Sequence, residues 1–151
     1  MQAVIFIGIQ AAGKSTFYLR NFASTHLRIS MDLAKTRPRE KRLIQSCFAS
    51  RQPFVIDNTN PTTASRKPYI DLARAADFRV LGYFFVPDIK GSLERNARRT
   101  GKQKIPVPGI YRTNKTLEAP TYAEGFDELF TVRVEGDEFI SLPVPRPAGQ
   151  N

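Results

Sequence analysis

The segment Gly8-Ile9-Gln10-Ala11-Ala12-Gly13-Lys14-Ser15 spaces two glycines, a lysine and a hydroxyl as a phosphate-binding loop requires. Glycines let a chain wrap closely around an anion. Successive backbone N–H groups then turn inward, and a helix opening at Lys14 adds partial positive charge. In that geometry Lys14 bridges two phosphates, Ser15 offers its hydroxyl to magnesium, and Thr16 hydrogen-bonds a phosphate oxygen. Gly8, Gln10, Ala11, Ala12, Gly13, Lys14, Ser15 and Thr16 are therefore expected to hold ATP with Mg2+.

Two acids follow apolar runs downstream. Asp32 comes just after Leu27-Arg28-Ile29-Ser30, at the strand edge where open α/β sheets bind ligands. A carboxylate there either takes the proton of an attacking hydroxyl or merely caps the next helix, and position alone divides these evenly. Phe54-Val55-Ile56-Asp57 is a buried-type strand ending in an acid that either organises magnesium or only caps or hydrogen-bonds a turn; Ser15 and Asp57 are the expected metal ligands. Asn58-Thr59-Asn60-Pro61 is either turn chemistry or a set of hydrogen-bonding groups aimed at an acceptor.

Arg95, Arg98 and Arg99 fall at i, i+3 and i+4 of an expected helix, on one face from which guanidinium forks clamp a phosphoryl group. The basic stretch Thr100-Gly101-Lys102-Gln103-Lys104 after them has the composition of a closing lid. His26 is the only histidine and lacks metal-binding company, so it is assigned a structural role; Phe84, Phe85 and Val86 are assigned to a core strand.

Positioning these groups falls to alternating β-rich runs and amphipathic stretches, the pattern of βα units on a parallel sheet. Strands are expected near 3–8, 27–30, 53–57, 79–86 and 130–134, and helices near 14–24, 33–50, 63–76, 89–99 and 107–117. The fold class is α/β: a P-loop NTPase-type parallel sheet flanked by helices, with a helical lid. A single domain over 1–142 is followed by a Pro-rich tail over 143–151, expected to be flexible because of Pro143, Pro145 and Pro147.

The 151 residues suffice for one core, and 41% hydrophobic content is that of an ordinary globular protein. An excess of 23 Lys and Arg over 14 Asp and Glu gives a net charge of +9, which favours a polyanionic partner. The lone Cys47 excludes an internal disulfide and a Cys-rich zinc site, and fits a reducing, cytoplasmic setting. No run is long enough to span a membrane, no targeting segment is recognisable and no obligate protein partner is evident.

Taken together, the residues resemble the kinase domain of polynucleotide 5′-hydroxyl kinases, particularly the animal kinase and 3′-phosphatase repair enzymes. The resemblance rests on Gly8 to Thr16, Asp32, Val55-Ile56-Asp57-Asn58-Thr59-Asn60-Pro61, Ser65-Arg66 with Tyr69, Arg95-Asn96 with Arg99, and Ile105-Pro106-Val107. Glu118-Ala119-Pro120-Thr121 with Ala123-Glu124-Gly125-Phe126 is the most telling part. It implies transfer of the ATP γ-phosphate to a 5′-hydroxyl of DNA or RNA, with Asp32 as general base, Lys14 and Arg99 stabilising the transition state, and Asn58, Thr59 and Arg66 lining the acceptor groove.

Met31 and Pro68 stand where that family carries basic residues, and Lys35, Arg37 and Lys67 are the nearby cations that would take over. Neither an Asp-x-Asp-x-Thr phosphatase signature nor a Lys-x-Asp-Gly ligase signature occurs, so a stand-alone kinase is expected. Two alternatives stay open: a kinase for a small-molecule alcohol such as a nucleoside or sugar, and a nucleotide-dependent nucleic-acid-binding module without transferase activity.

Overall fold

Alternating apolar residues in the first strand, β1 (Gln2–Ile7), decide the architecture. Ala3, Ile5 and Ile7 face one hydrophobic cluster while Val4 and Phe6 face another, so the sheet is covered on both sides. The computed structural model describes residues 1–149. They form a six-stranded sheet of β1, β2 (Leu27–Ile29), β3 (Phe54–Ile56), β4 (Arg79–Phe85), β5 (Glu128–Glu135) and β6 (Glu138–Pro143). The order is β2-β3-β1-β4-β5-β6, all parallel except the antiparallel pair of β5 and β6.

Six α-helices connect the strands: α1 (Lys14–Asn21), α2 (Met31–Ala34), α3 (Arg37–Ser50), α4 (Thr63–Ala75), α5 (Ile89–Ala97) and α6 (Val107–Thr116). Side chains of α3 and α4 such as Ile44, Cys47, Ile70 and Ala73 join Ile5, Ile29, Phe54 and Ile56 on one face. Phe17 and Phe22, at and just beyond α1, together with Ile110 of α6, join Phe6, Val55 and Phe85 on the other. Phe6 meets Phe17, Phe22, Tyr83 and Phe85 edge-on, the geometry aromatic rings prefer.

The expected helix over 33–50 is two helices. Pro38 has no N–H to donate to the Ala34 carbonyl and its ring would clash there, so the helix cannot run on from α2, and Thr36 restarts the chain as the N-cap of α3, accepting from the Arg39 N–H at 3.3 Å. Lys35, at φ 69°, ends the short α2.

Strand β6 was not expected from sequence. Gly136, with φ 61°, permits the tight turn that folds it back on β5. The first residues of the expected Pro-rich tail are thereby held against the sheet. Pro143 closes β6, the Val144 N–H donates to Leu129 O at 2.8 Å, the Tyr122 hydroxyl donates to Val144 O, and Arg146 lies over the Tyr122 ring and donates to Asp127 O. Residues 150 and 151 of that expected tail lie outside the described residues.

His26 is structural, hydrogen-bonded to Gln2 and Thr25 and set edge-on to Phe22. Among the described residues no helix is long and apolar enough to cross a membrane.

Candidate functional site: a phosphate cleft at the strand ends

Parallel register brings three strand ends together. Ile56 of β3 pairs with Ile5 of β1 and with Ile29 of β2, so Gly8, Ser30 and Asp57 all emerge at the carboxyl edge of the sheet. There a cleft of about 320 Å³ is lined by residues 10–15, Arg28, Met31, Asp32, Arg37, Asp57, Asn58, Thr59, Arg99 and Ile105. Residues read as nucleotide-binding and residues read as acceptor-binding thus share one wall-to-wall space.

The loop is shaped by three devices. Ala11 and Gly13 take positive φ, 58° and 94°, turning the backbone before α1 opens at Lys14. Phe139 of β6 packs beneath Gly13, where a Cβ would sit 3.0 Å from the ring. Arg95 Nε donates to the carbonyl of Ala11 at 2.6 Å, so Arg95 braces the loop from outside and does not line the cleft.

Gly8 is a packing glycine: a Cβ there would lie 2.8 Å from Phe85 Cβ, and its N–H donates to Thr59 O at 3.0 Å. Neither Gly8 nor the exposed Thr16 lines the cleft. Gln10 Nε2 donates to Thr113 Oγ1 at 2.9 Å, tying the loop to α6.

Lys14 is buried, and its ammonium donates to the carbonyls of Gly8 at 2.8 Å and Ile9 at 2.6 Å. Burial pushes its pKa down from 10.5 to about 8; Asp57 pulls the other way and Arg99 adds to the lowering. Ser15 Oγ donates to Asp57 Oδ2 at 3.1 Å, so the two expected metal ligands already touch. Among the described residues no cluster of three or more His, Cys, Asp or Glu exists to hold a metal. A hydroxyl beside one carboxylate fits magnesium, which takes few protein ligands and completes its shell with water and phosphate oxygens.

Asp32 is exposed to the cleft and is not the helix cap. Ser30 caps α2 instead, accepting from the Leu33 N–H at 3.3 Å, which leaves the Asp32 carboxylate to face outward. Asn58 holds this turn by accepting from the Met31 N–H at 2.9 Å. Glu40, missed in the sequence, is buried behind it and accepts from Asn58, Tyr69 and Arg37 at 3.0, 2.9 and 3.1 Å. Burial and Glu40 push the Tyr69 hydroxyl up to about 12, keeping it a donor. Arg37, Asn58 and Thr59 also border a more apolar chamber of about 420 Å³ between α3 and α4.

Arg66 does not line the acceptor groove. Its side chain is 0% exposed, bidentate to Glu124 at 2.8 and 3.2 Å and bonded to the carbonyls of Asn60 and Glu118. Four of its five N–H groups are engaged and the side chain is fully enclosed, so none is presented to a ligand. Lys35 is exposed and away from the cleft, and Lys67 pairs with Asp71 on the outer face of α4. Of the three arginines near the lid only Arg99 reaches the cleft; α5 ends at Ala97, so Arg98 and Arg99 leave the helical face expected of them. Asn96, buried, clamps the lid turn by bonding both the N–H and the carbonyl of Ile105. Arg28, also missed, reaches Asp57 and Ser15 from β2.

Comparison with known proteins places this arrangement. Two relatives are bifunctional polynucleotide phosphatase/kinases by name. The one from Schizosaccharomyces pombe is 25% identical over 83% of this chain and 32% of its own length. A protein of Acanthamoeba polyphaga mimivirus, assigned as such an enzyme, is 28% identical over 87% of this chain and 33% of its own. The chain therefore spans about one third of the length of these relatives.

Among solved structures, Kti12 from Chaetomium thermophilum in complex with ADP-AlF3 superposes with a TM-score of 0.61 at 17% identity, over 90% of this chain and 91% of the other. A gluconokinase from Sinorhizobium meliloti does so with 0.56 at 18%, over 88% and 82%. These likenesses show the fold, that of P-loop kinases. The family model described as an AAA domain matches residues 28–118, from β2 to just past α6 and more than half of the chain. By that match the chain belongs to this P-loop family.

Proposed function

We propose that the protein transfers the γ-phosphate of ATP to a 5′-hydroxyl end of DNA or RNA. The observation that carries this is the shared cleft, where Lys14 and Ser15 of the loop face Asp32, Asn58 and Thr59 of the acceptor side. Relatives named for polynucleotide kinase activity favour a nucleic-acid acceptor, as does the net charge of +9.

In this reading Gln10 to Ser15 cradle the triphosphate, and Lys14 turns from the carbonyls of Gly8 and Ile9 to the phosphates. Ser15 and Asp57 would hold magnesium, which when bound neutralises charge on the phosphate oxygens. Asp32 accepts the proton of the acceptor hydroxyl as its oxygen attacks the γ-phosphorus and the bond to the bridging oxygen of ADP breaks, ADP leaving; Arg99 offsets the charge that develops. The acceptor enters over Arg37, Asn58 and Thr59, from the side of α3 and α4.

Incubation with γ-labelled ATP and 5′-hydroxyl oligonucleotides of several lengths tests the reading: label appears at the 5′ end. No transfer to any DNA or RNA would sink it. Asp32→Asn lowers turnover by orders of magnitude while ADP affinity stays near that of the wild type. Two observations favour a second acceptor class: Met31 beside Asp32 is uncharged, and a gluconokinase shares the fold. Phosphorylation of a nucleoside or sugar in preference to oligonucleotides would select that class instead.

A further inference from the structure

Arg28 sits mid-strand in β2, with β3 between it and β1, which leads into the phosphate loop; yet its guanidinium reaches the cleft. Nε donates to Asp57 Oδ2 at 2.7 Å, and a terminal nitrogen donates to Ser15 Oγ at 3.1 Å. Ser15 Oγ itself donates to the same carboxylate oxygen at 3.1 Å. The guanidinium therefore closes a triangle with the two oxygen groups that fit magnesium. The Asp57 side chain is 3% exposed and that of Arg28 25%. A carboxylate buried to that degree requires a counter-charge; the Lys14 ammonium lies near it, and Arg28 is the cation bonded to it directly.

Two cations cannot both keep that position. A divalent ion held by Ser15 and Asp57 would lie against the guanidinium in a partly desolvated space, where like charges repel strongly. Arg28 can yield, because it is partly exposed and hangs on a flexible stem. Its anchor on β2 leads directly to Ser30 and Asp32, which places it between the phosphate loop and the acceptor acid. Other cations of that side are engaged or distant: Arg37 is bound to Glu40 and Tyr69, Lys35 is outside the cleft, and position 31 is methionine.

We propose that Arg28 is an exchangeable cation of the site. It neutralises Asp57 in the nucleotide-free protein, gives way when a magnesium-bound nucleotide arrives, and turns onto phosphate oxygens on the acceptor side. This rests on the reading of the cleft as a magnesium–nucleotide site. It has two opposing consequences: Arg28 weakens cation binding before nucleotide arrives, and it strengthens phosphate contacts afterwards.

The test uses manganese as the probe, titrated into the full chain and followed by electron paramagnetic resonance, with and without ADP, for wild type, Arg28→Gln and Arg28→Lys. Without ADP, Arg28→Gln binds manganese about tenfold more tightly than wild type, because Asp57 has lost its competitor. Arg28→Lys, which keeps the charge but not the two-pronged contact, falls between them. Adding Asp57→Asn to wild type and to Arg28→Gln makes their manganese affinities equal. In the transfer assay Arg28→Gln lowers kcat more than it changes KM for ATP.

Equal manganese affinity in wild type and Arg28→Gln, with manganese–ADP still bound by both, overturns the proposal alone. A wild type that takes up no manganese–ADP overturns the reading of the cleft and the proposal with it. Should Arg28→Gln fail to fold by circular dichroism, the comparison of Arg28→Lys with wild type decides the same question.

Discussion

The side-chain oxygen of Asn58 accepts a hydrogen bond from the backbone N–H of Met31 at 2.9 Å, across the gap between the ends of β3 and β2. Met31 is the first residue of α2, where a helical N–H has no partner within the helix. Asn58 thus caps from outside the turn that carries Asp32. Its own amide is oriented by donation to Glu40 Oε2 at 3.0 Å, and Glu40 is held in turn by Tyr69 and Arg37.

Removing this cap should act on chemistry and not on nucleotide binding. Asn58→Ala leaves the Met31 N–H and the Glu40 carboxylate each short of a partner, and the α2 turn loosens. Misplacing a reacting group by about 1 Å costs roughly a hundredfold, so kcat is expected to fall between about ten- and a hundredfold. ADP affinity measured by calorimetry stays close to that of the wild type. An equal loss of ADP affinity would assign Asn58 to the nucleotide instead.

Arg66 makes a prediction of the opposite kind. Its guanidinium neutralises Glu124 and satisfies two carbonyls in a fully enclosed space. Arg66→Met strands the Glu124 carboxylate, and breaking such a pair from one side costs about 3–5 kcal/mol in unfolding free energy. Arg66→Met with Glu124→Leu recovers part of that loss, since no buried charge is left alone. Denaturation by urea reads both. A variant of unchanged stability but raised KM for the oligonucleotide would restore Arg66 to the acceptor groove.

These two residues mark where sequence stops being legible. The phosphate loop is readable because all its parts lie within one short segment between an apolar run and a helix. Asp32 was readable as a position, but its cap-or-base ambiguity turned on Ser30, whose side chain takes the cap. Arg66, Glu118 and Glu124 look functional in sequence because they are distinctive. In the fold Glu118 accepts from Thr63 and Glu124 from Arg66, so both brace the turn over 58–61 from behind. Arg28, Glu40 and Phe139 carried no signal at all. Each acts through a partner far along the chain, Asp57, Asn58 and Gly13 respectively, and only strand order and register bring those together.

Arg95 separates loop geometry from charge. Because it binds the Ala11 carbonyl at 2.6 Å and stays out of the cleft, its work is to hold the loop in its positive-φ bend. Arg95→Met loses a charge-assisted hydrogen bond, a group usually worth about 1.5–3 kcal/mol, and ADP affinity should drop roughly tenfold or more. KM for the acceptor stays unchanged. If ADP affinity is retained and kcat alone falls, Arg95 reaches the phosphoryl group directly.

Lys14 gives the site a pH dependence of definite sign. Burial, the largest cause, brings its ammonium from 10.5 to about 8 in the folded protein without nucleotide. The unfolded chain therefore holds this proton more tightly than the folded one between about pH 8 and 10.5. Where the unfolded state binds more protons, stability rises with pH. The cost of burying the charged amine is complete below pH 8 and is relieved as pH climbs toward 10.5. Lys14→Met lacks this titration, so subtracting its unfolding free energy from that of the wild type isolates it. That difference should move in favour of the wild type by up to roughly 3 kcal/mol across the window. Urea denaturation at a series of pH values reads the slope, and parallel curves for the two proteins would refute it. Phosphate oxygens placed against the amine raise its affinity for protons again. ADP binding near pH 9 should accordingly take up a proton, seen as a dependence of the binding heat on the buffer's ionisation enthalpy, and Lys14→Met should abolish that dependence.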